Sequence, residues 1–145
     1  GGAFGGEMSG HLFFKARWYG FDDALYAAAR LCEVLSGDDR PPSTVFAEIP
    51  DTVNTPELRI EMNEGEHHAL IQELVANGNF PGGSVCNIDG VRVDFEDGFG
   101  LARASNTTPT VILRFEADTA AALERIQDLY RAQILALRPT LTLPF

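Results

Sequence analysis

The chain has 145 residues, 45% hydrophobic and 22% charged, and 11 Lys and Arg against 21 Asp and Glu leave a formal net charge of −10. That length suits one domain, or one domain and a piece of another, and the composition is that of a globular protein with no apolar run long enough to cross a bilayer. The acidic balance argues against nucleic acid as a partner, because binding a phosphate backbone needs a basic stripe; one local anion site is still compatible with it.

Cys32 and Cys86 are the only cysteines. Two thiols so far apart make neither a disulfide framework nor a zinc site, and they fit a reducing cytoplasm. The opening Gly1-Gly2-Ala3-Phe4 has no charged and then apolar leader, and it reads as a cut end.

Gly1 to Gly6 forms a flexible approach to Glu7-Met8-Ser9-Gly10-His11. Glu7 can accept from hydroxyls, Ser9 can donate and accept, and His11 can do either or carry a proton near neutral pH. Taken alone, this trio suits a structural role as well as a binding one. Leu12-Phe13-Phe14 reads as a buried strand, and the spacing of Phe21, Leu25, Ala28, Leu31, Cys32 and Leu35 predicts a helix over 21–35. Asp22 is its expected N-cap and Gly37 its C-cap. Trp18 and Tyr19 read as core aromatics.

Four prolines between Ser36 and Pro56 predict a stiff, non-helical connector, with Val45-Phe46 as an apolar anchor. Beyond it, Leu58 to Met62 alternates as a strand, and 66–76 is a helix presenting Leu70, Ile71, Leu74 and Val75 on one face. The adjacent His67 and His68 read as solvated. Ser84 to Ile88, a turn at Asp89-Gly90 and Val91 to Phe95 form a hairpin. A second turn over Glu96 to Gly100 leads through Leu101-Ala102 into a polar loop, Arg103 to Pro109. Thr110 to Phe115 returns as a strand. Asp118 or Thr119 then caps a helix carrying Leu123, Ile126, Tyr130, Ile134 and Leu137. Antiparallel strands with helices on one sheet face give an α+β fold.

The loop Arg103-Ala104-Ser105-Asn106-Thr107-Thr108-Pro109 concentrates a guanidinium, three hydroxyls and an amide in seven residues. It suits a phosphate monoester, and it equally suits a hydrogen-bonded turn. Ser105 is not read as a nucleophile, since no His or Asp stands near it in sequence to act as base.

The two loops together, Gly6-Glu7-Met8-Ser9-Gly10-His11 and Arg103 to Pro109, resemble the α-D-phosphohexomutases, specifically the bacterial phosphomannomutase/phosphoglucomutase group. The resemblance extends through Arg17-Trp18-Tyr19-Gly20-Phe21-Asp22-Asp23, Asp89 to Asp94 and Leu113 to Thr119. It implies that 1–36 is the tail of a third, α/β domain with the sugar-recognition loop, 37–56 an interdomain linker, and 57–145 a fourth, TATA-box-binding-protein-like domain with the phosphate loop. Glu7, Met8, Ser9, Gly10 and His11 would bind the sugar, with His11 a candidate for proton transfer. Arg103, Ala104, Ser105, Asn106 and Thr107 would hold the phosphate that is not reacting.

The family's phosphoserine and Asp-Gly-Asp-Gly-Asp metal loops do not occur in the chain. The resemblance therefore implies that the phosphoryl donor and the Mg2+ ligands lie in N-terminal domains outside it. Hexose 1,6-bisphosphate is the implied activator and intermediate. Alternatives are a mutase acting on another hexose phosphate, such as a phosphoglucosamine mutase, and a non-catalytic phosphosugar-binding module.

Overall fold

Gly6 lets the first strand, β1 (Phe4–Gly6), lie close against β2 (Leu12–Phe14), for a Cβ there would sit 2.8 Å from Leu12 Cδ2. The computed structural model describes residues 2–7 and 9–145, so the expectation for Met8 lies outside the described residues. The chain divides into two units, Gly1–Pro50 and Asp51–Phe145.

In the first unit, β1 and β2 pair antiparallel, and α1 (Ala24–Ser36) follows. Asp23, not Asp22, is the N-cap, its side chain accepting from the Tyr26 N–H at 2.9 Å. The helix starts three residues later than its apolar spacing suggests, because Phe21 lies in a bend and Asp22 bridges to Phe13. Its apolar stripe is uncovered: Leu25 is 86% exposed, and no residue of α1 is buried. Trp18 is half-buried and stacks on Tyr26 at 4.3 Å, whereas Tyr19 is exposed. The connector is not wholly non-helical. Pro42 opens a short helix, α2 (Pro42–Phe46), where its fixed φ and missing N–H suit a first turn.

The second unit contains β3 (Val53–Asn54), β4 (Leu58–Glu61), α3 (Glu66–Asn77), β5 (Ser84–Cys86), β6 (Val91–Phe95), β7 (Gly98–Ala104), β8 (Thr110–Ala117) and α4 (Ala120–Leu137). Its strands form one antiparallel sheet in the order β3-β8-β7-β6-β5, with β4 following β3 along the same edge of β8. Pro56 has no N–H to give that edge, and Thr55 spans the break. The Thr55 N–H donates to Phe115 O at 2.9 Å, and the Phe115 N–H donates to Thr55 Oγ1 at 3.1 Å.

Register aligns Val91, Ala102 and Leu113 in one row and Val93, Gly100 and Phe115 in the next, all buried. Both long helices cover that face, contributing Leu70, Ile71 and Leu74 from α3 and Ile126, Tyr130 and Ile134 from α4. Each such side chain taken out of water contributes roughly 1.5–3 kcal/mol. This is the expected α+β arrangement. Gly100 makes room for Tyr130: a Cβ there would lie 2.3 Å from the Tyr130 ring, whose hydroxyl donates toward the Gly100 and Val91 carbonyls at 2.7 and 3.0 Å. Thr119 caps α4 by accepting from the Ala122 N–H.

Four expectations here need correction. His67 is 2% exposed rather than solvated, because it enters the core in the first turn of α3, and Val75 is the face residue left outside. The second turn is shorter than expected, since β7 already begins at Gly98. Arg103 and Ala104 belong to β7, so the polar loop proper is Ser105–Pro109.

Candidate functional site

The first candidate loop closes the β1–β2 hairpin. The Glu7 N–H donates to His11 O at 3.0 Å and the Gly10 N–H donates to Glu7 O at 3.0 Å, so the backbone alone holds the turn. Gly10 sits at φ 89°, a left-handed conformation that side chains oppose. Glu7, Ser9, Gly10 and His11 are all exposed. Among the described residues, Glu7 and Ser9 make no side-chain hydrogen bond, while His11 Nδ1 lies 2.5 Å from Asp22 Oδ2. The hydrogen bond and charge of Asp22 raise the imidazole above its usual value, opposed by partial desolvation and reinforced weakly by Glu7. Asp22 is the group that sequence reasoning missed. Its neighbour Asp23 takes the capping role, and no local spacing signals a contact made across the hairpin.

The second candidate loop joins two interior strands. Ser105 is 8% exposed and its N–H donates to Thr110 O at 2.9 Å, which closes the loop at its base. Its Oγ accepts from the Thr107 and Thr108 N–H groups, each at 3.3 Å, and lies 3.1 Å from Thr108 Oγ1. The Ser105 hydroxyl thus organises the turn from inside, as a short polar side chain does when it bonds the backbone just downstream. Asn106, Thr107 and Thr108 remain exposed, and Ala104 packs against the core.

Arg103 alternates with buried Ala102, and so it points to the sheet face that the helices leave open. Its NH1 donates to Asp89 Oδ2 at 3.3 Å, with both side chains substantially exposed. Gly90, at φ 84°, brings the Asp89 turn against β7, where a Cβ would meet Ala102 O at 2.3 Å and Arg103 Cα at 2.8 Å. Register brings three more arginines to the same open face. Arg59 and Arg103 both pair with Ile112 from opposite sides, and Arg92 and Arg114 both pair with Leu101. The Arg92 guanidinium lies 3.9 Å from the Phe99 ring centroid.

Among the described residues, no three His, Cys, Asp or Glu side chains gather to hold a metal ion. Among the described residues, no helix is long and apolar enough to cross a membrane.

An antiparallel sheet with helices on one face, and an exposed arginine and hydroxyl loop at a strand end, define an α+β domain with a candidate anion-binding loop. Residues 57–133 match the family model "Phosphoglucomutase/phosphomannomutase, C-terminal domain", and residues 1–53 match that family's alpha/beta/alpha domain III. The chain belongs to the phosphoglucomutase/phosphomannomutase family. It is 58% identical to a phosphoglucomutase of Neisseria gonorrhoeae over 89% of its length and 28% of that protein's. With a phosphomannomutase/phosphoglucomutase of Pseudomonas aeruginosa PAO1 the identity is 49%, over the whole chain and 31% of the relative. A crystal structure of a family protein from Burkholderia thailandensis superposes with a TM-score of 0.89 at 51% identity, covering 99% of this chain and 30% of that one. The chain therefore spans about 30% of the length of these relatives.

Proposed function

We propose that the chain is the C-terminal portion of a phosphomannomutase/phosphoglucomutase that interconverts hexose 1-phosphate and hexose 6-phosphate in the cytoplasm. The observation that carries this reading is the pair of exposed polar loops, each in the unit that matches a different domain model of the family. Glu7, Ser9 and His11 bind sugar hydroxyls, with Met8 and Gly10 completing the loop. Arg103, Asn106 and Thr107 bind the phosphate that is not reacting. Ser105 shapes that cradle from within and Ala104 fixes its base, so their contribution to binding is largely through backbone placement.

Phosphoryl transfer needs positioning and charge stabilisation more than covalent help from the protein. This portion supplies positioning. The phosphoserine donor and the Mg2+ carboxylates belong to N-terminal domains of the same enzyme, and hexose 1,6-bisphosphate is the intermediate that turns over between the two transfers. The third and fourth domains end and begin around the proline-rich connector 37–56. Similarity favours a mannose or glucose substrate over glucosamine, because a probable phosphoglucosamine mutase of Methanosarcina acetivorans is only 34% identical.

The test is a coupled assay and 31P NMR on the full-length protein with mannose and glucose 1-phosphates, magnesium and a hexose bisphosphate. Conversion to the 6-phosphates is expected, and the 145-residue chain alone should show none. Turnover by the isolated chain, or glucosamine phosphate as the preferred substrate of the full protein, would overturn the assignment.

A further inference from the structure

The hairpin loop holds its three polar side chains differently. Glu7 and Ser9 are open at their polar ends among the described residues, but His11 is tied at one ring nitrogen and free at the other. A carboxylate only accepts, so at 2.5 Å from Asp22 Oδ2 the Nδ1 atom must carry the proton. Asp22 itself is held in place, for its backbone bridges to Phe13 in β2 and the next residue caps α1.

We infer that Asp22 is a positioning residue for His11, fixing the ring with Nδ1–H toward the carboxylate and Nε2 toward the sugar phosphate that enters the loop. The inference rests on the proposed function for the identity of that ligand, while the ring geometry stands without it. A fixed tautomer removes the half of ring orientations that would present the wrong nitrogen. It also keeps imidazolium available to a higher pH, since Asp22 and, more weakly, Glu7 favour the charged ring. The Nε2 proton can then pass to the sugar oxygen as its bond to phosphorus breaks and the phosphoryl group passes to the serine oxygen of the N-terminal donor domain. In the reverse direction, neutral His11 takes the proton from the sugar hydroxyl as that oxygen bonds to phosphorus and the bond between phosphorus and the serine oxygen breaks. In both directions the Nδ1–H stays directed at the Asp22 side chain.

The first measurement is independent of turnover: an NMR titration of the His11 ring in the full-length protein, assigned with His11→Gln, and repeated in Asp22→Asn. The wild-type ring should titrate above an ordinary histidine with its neutral form protonated at Nδ1, and Asp22→Asn should lower that midpoint and mix the tautomers. A wild-type midpoint at the ordinary value, or the same midpoint in both proteins, overturns the inference.

The second measurement is the pH profile of kcat in the full-length enzyme. Asp22→Asn should lower kcat by about tenfold or more with little change in KM, and should move the loss of the acid form to lower pH. Asp22→Glu should recover part of the rate. An unchanged profile also overturns the inference. A wild-type enzyme inactive on hexose phosphates would remove the proposed function only, and the ring titration would still decide the role of Asp22.

Discussion

Arg103 occupies the last exposed position of β7 before the turn, and its 3.3 Å approach to Asp89 is long for a charge-assisted bond. An anion can therefore compete with Asp89 for the guanidinium. Replacing Arg103 by Ala should weaken hexose phosphate binding to the full-length protein roughly tenfold to a hundredfold or more, since bonds to charged groups contribute about 1.5–3 kcal/mol. Calorimetry measures this, and an unchanged affinity would take Arg103 out of the site. Asp89→Asn should act in the opposite direction and weakly, because an exposed ion pair is worth about 0–1 kcal/mol, or at most about fivefold in affinity. Loss of affinity in that variant would mean that Asp89 orients Arg103 rather than competing for it. At this scale the sequence is legible for residue type but not for partner. The Arg103 loop and the Glu7 to His11 loop stand out by composition, whereas His11 meets Asp22 only because the β1–β2 hairpin and the turn before α1 fold together.

Elements were easier to read where one face is buried. The strands β6 and β8 and the helices α3 and α4 follow their hydrophobic periods to within a residue or two, since a slip would turn their apolar side chains out of the core. Helix α1 has an equally clear period yet leaves its stripe exposed, because periodicity reports the capacity to be covered and not the presence of a cover. Gly100 carried no sequence signal at all, and its importance comes from Tyr130 descending onto it. Gly100→Ala should destabilise the second unit by several kcal/mol, since overpacking costs about 1–3 kcal/mol even where neighbours can give way and the buried hydroxyl contacts of Tyr130 are disturbed as well. Thr119→Ala, which removes only the cap of α4, should cost about 1 kcal/mol. Urea denaturation of both variants provides the comparison, and equal losses would contradict the close fit at Gly100.

At the scale of the molecule, the core of the described residues lies in the second unit: each buried hydrophobic among them falls between Ile60 and Ile134. A polypeptide of residues 51–145 should fold alone, giving one cooperative urea transition and dispersed amide resonances. The segment 1–50 should lack a cooperative transition, because a two-stranded hairpin and one uncovered helix bury too little to offset chain entropy. A cooperative transition in 1–50, or a collapsed spectrum from 51–145, would refute this division of stability. The α+β class and the strand β4 were legible from the alternation of periods, but β3 was not, since Pro41 to Pro56 reads as a connector and only Thr55 reveals how the chain crosses Pro56.

The open sheet face, with Arg59, Arg92, Arg103 and Arg114 brought together by register, bears on how fast an anion arrives. A chain of net charge −10 repels a dianion at long range, and any pull of this face is local, since Arg59, Arg92 and Arg103 are each paired with a carboxylate, Glu57, Asp94 and Asp89. The two fields respond differently to salt. Ions screen the distant repulsion first, over a Debye length of about 8 Å at physiological ionic strength, while contacts at the arginines are screened less. Capture should thus be fastest at intermediate ionic strength and slower on either side, a profile that an evenly charged surface of either sign does not produce.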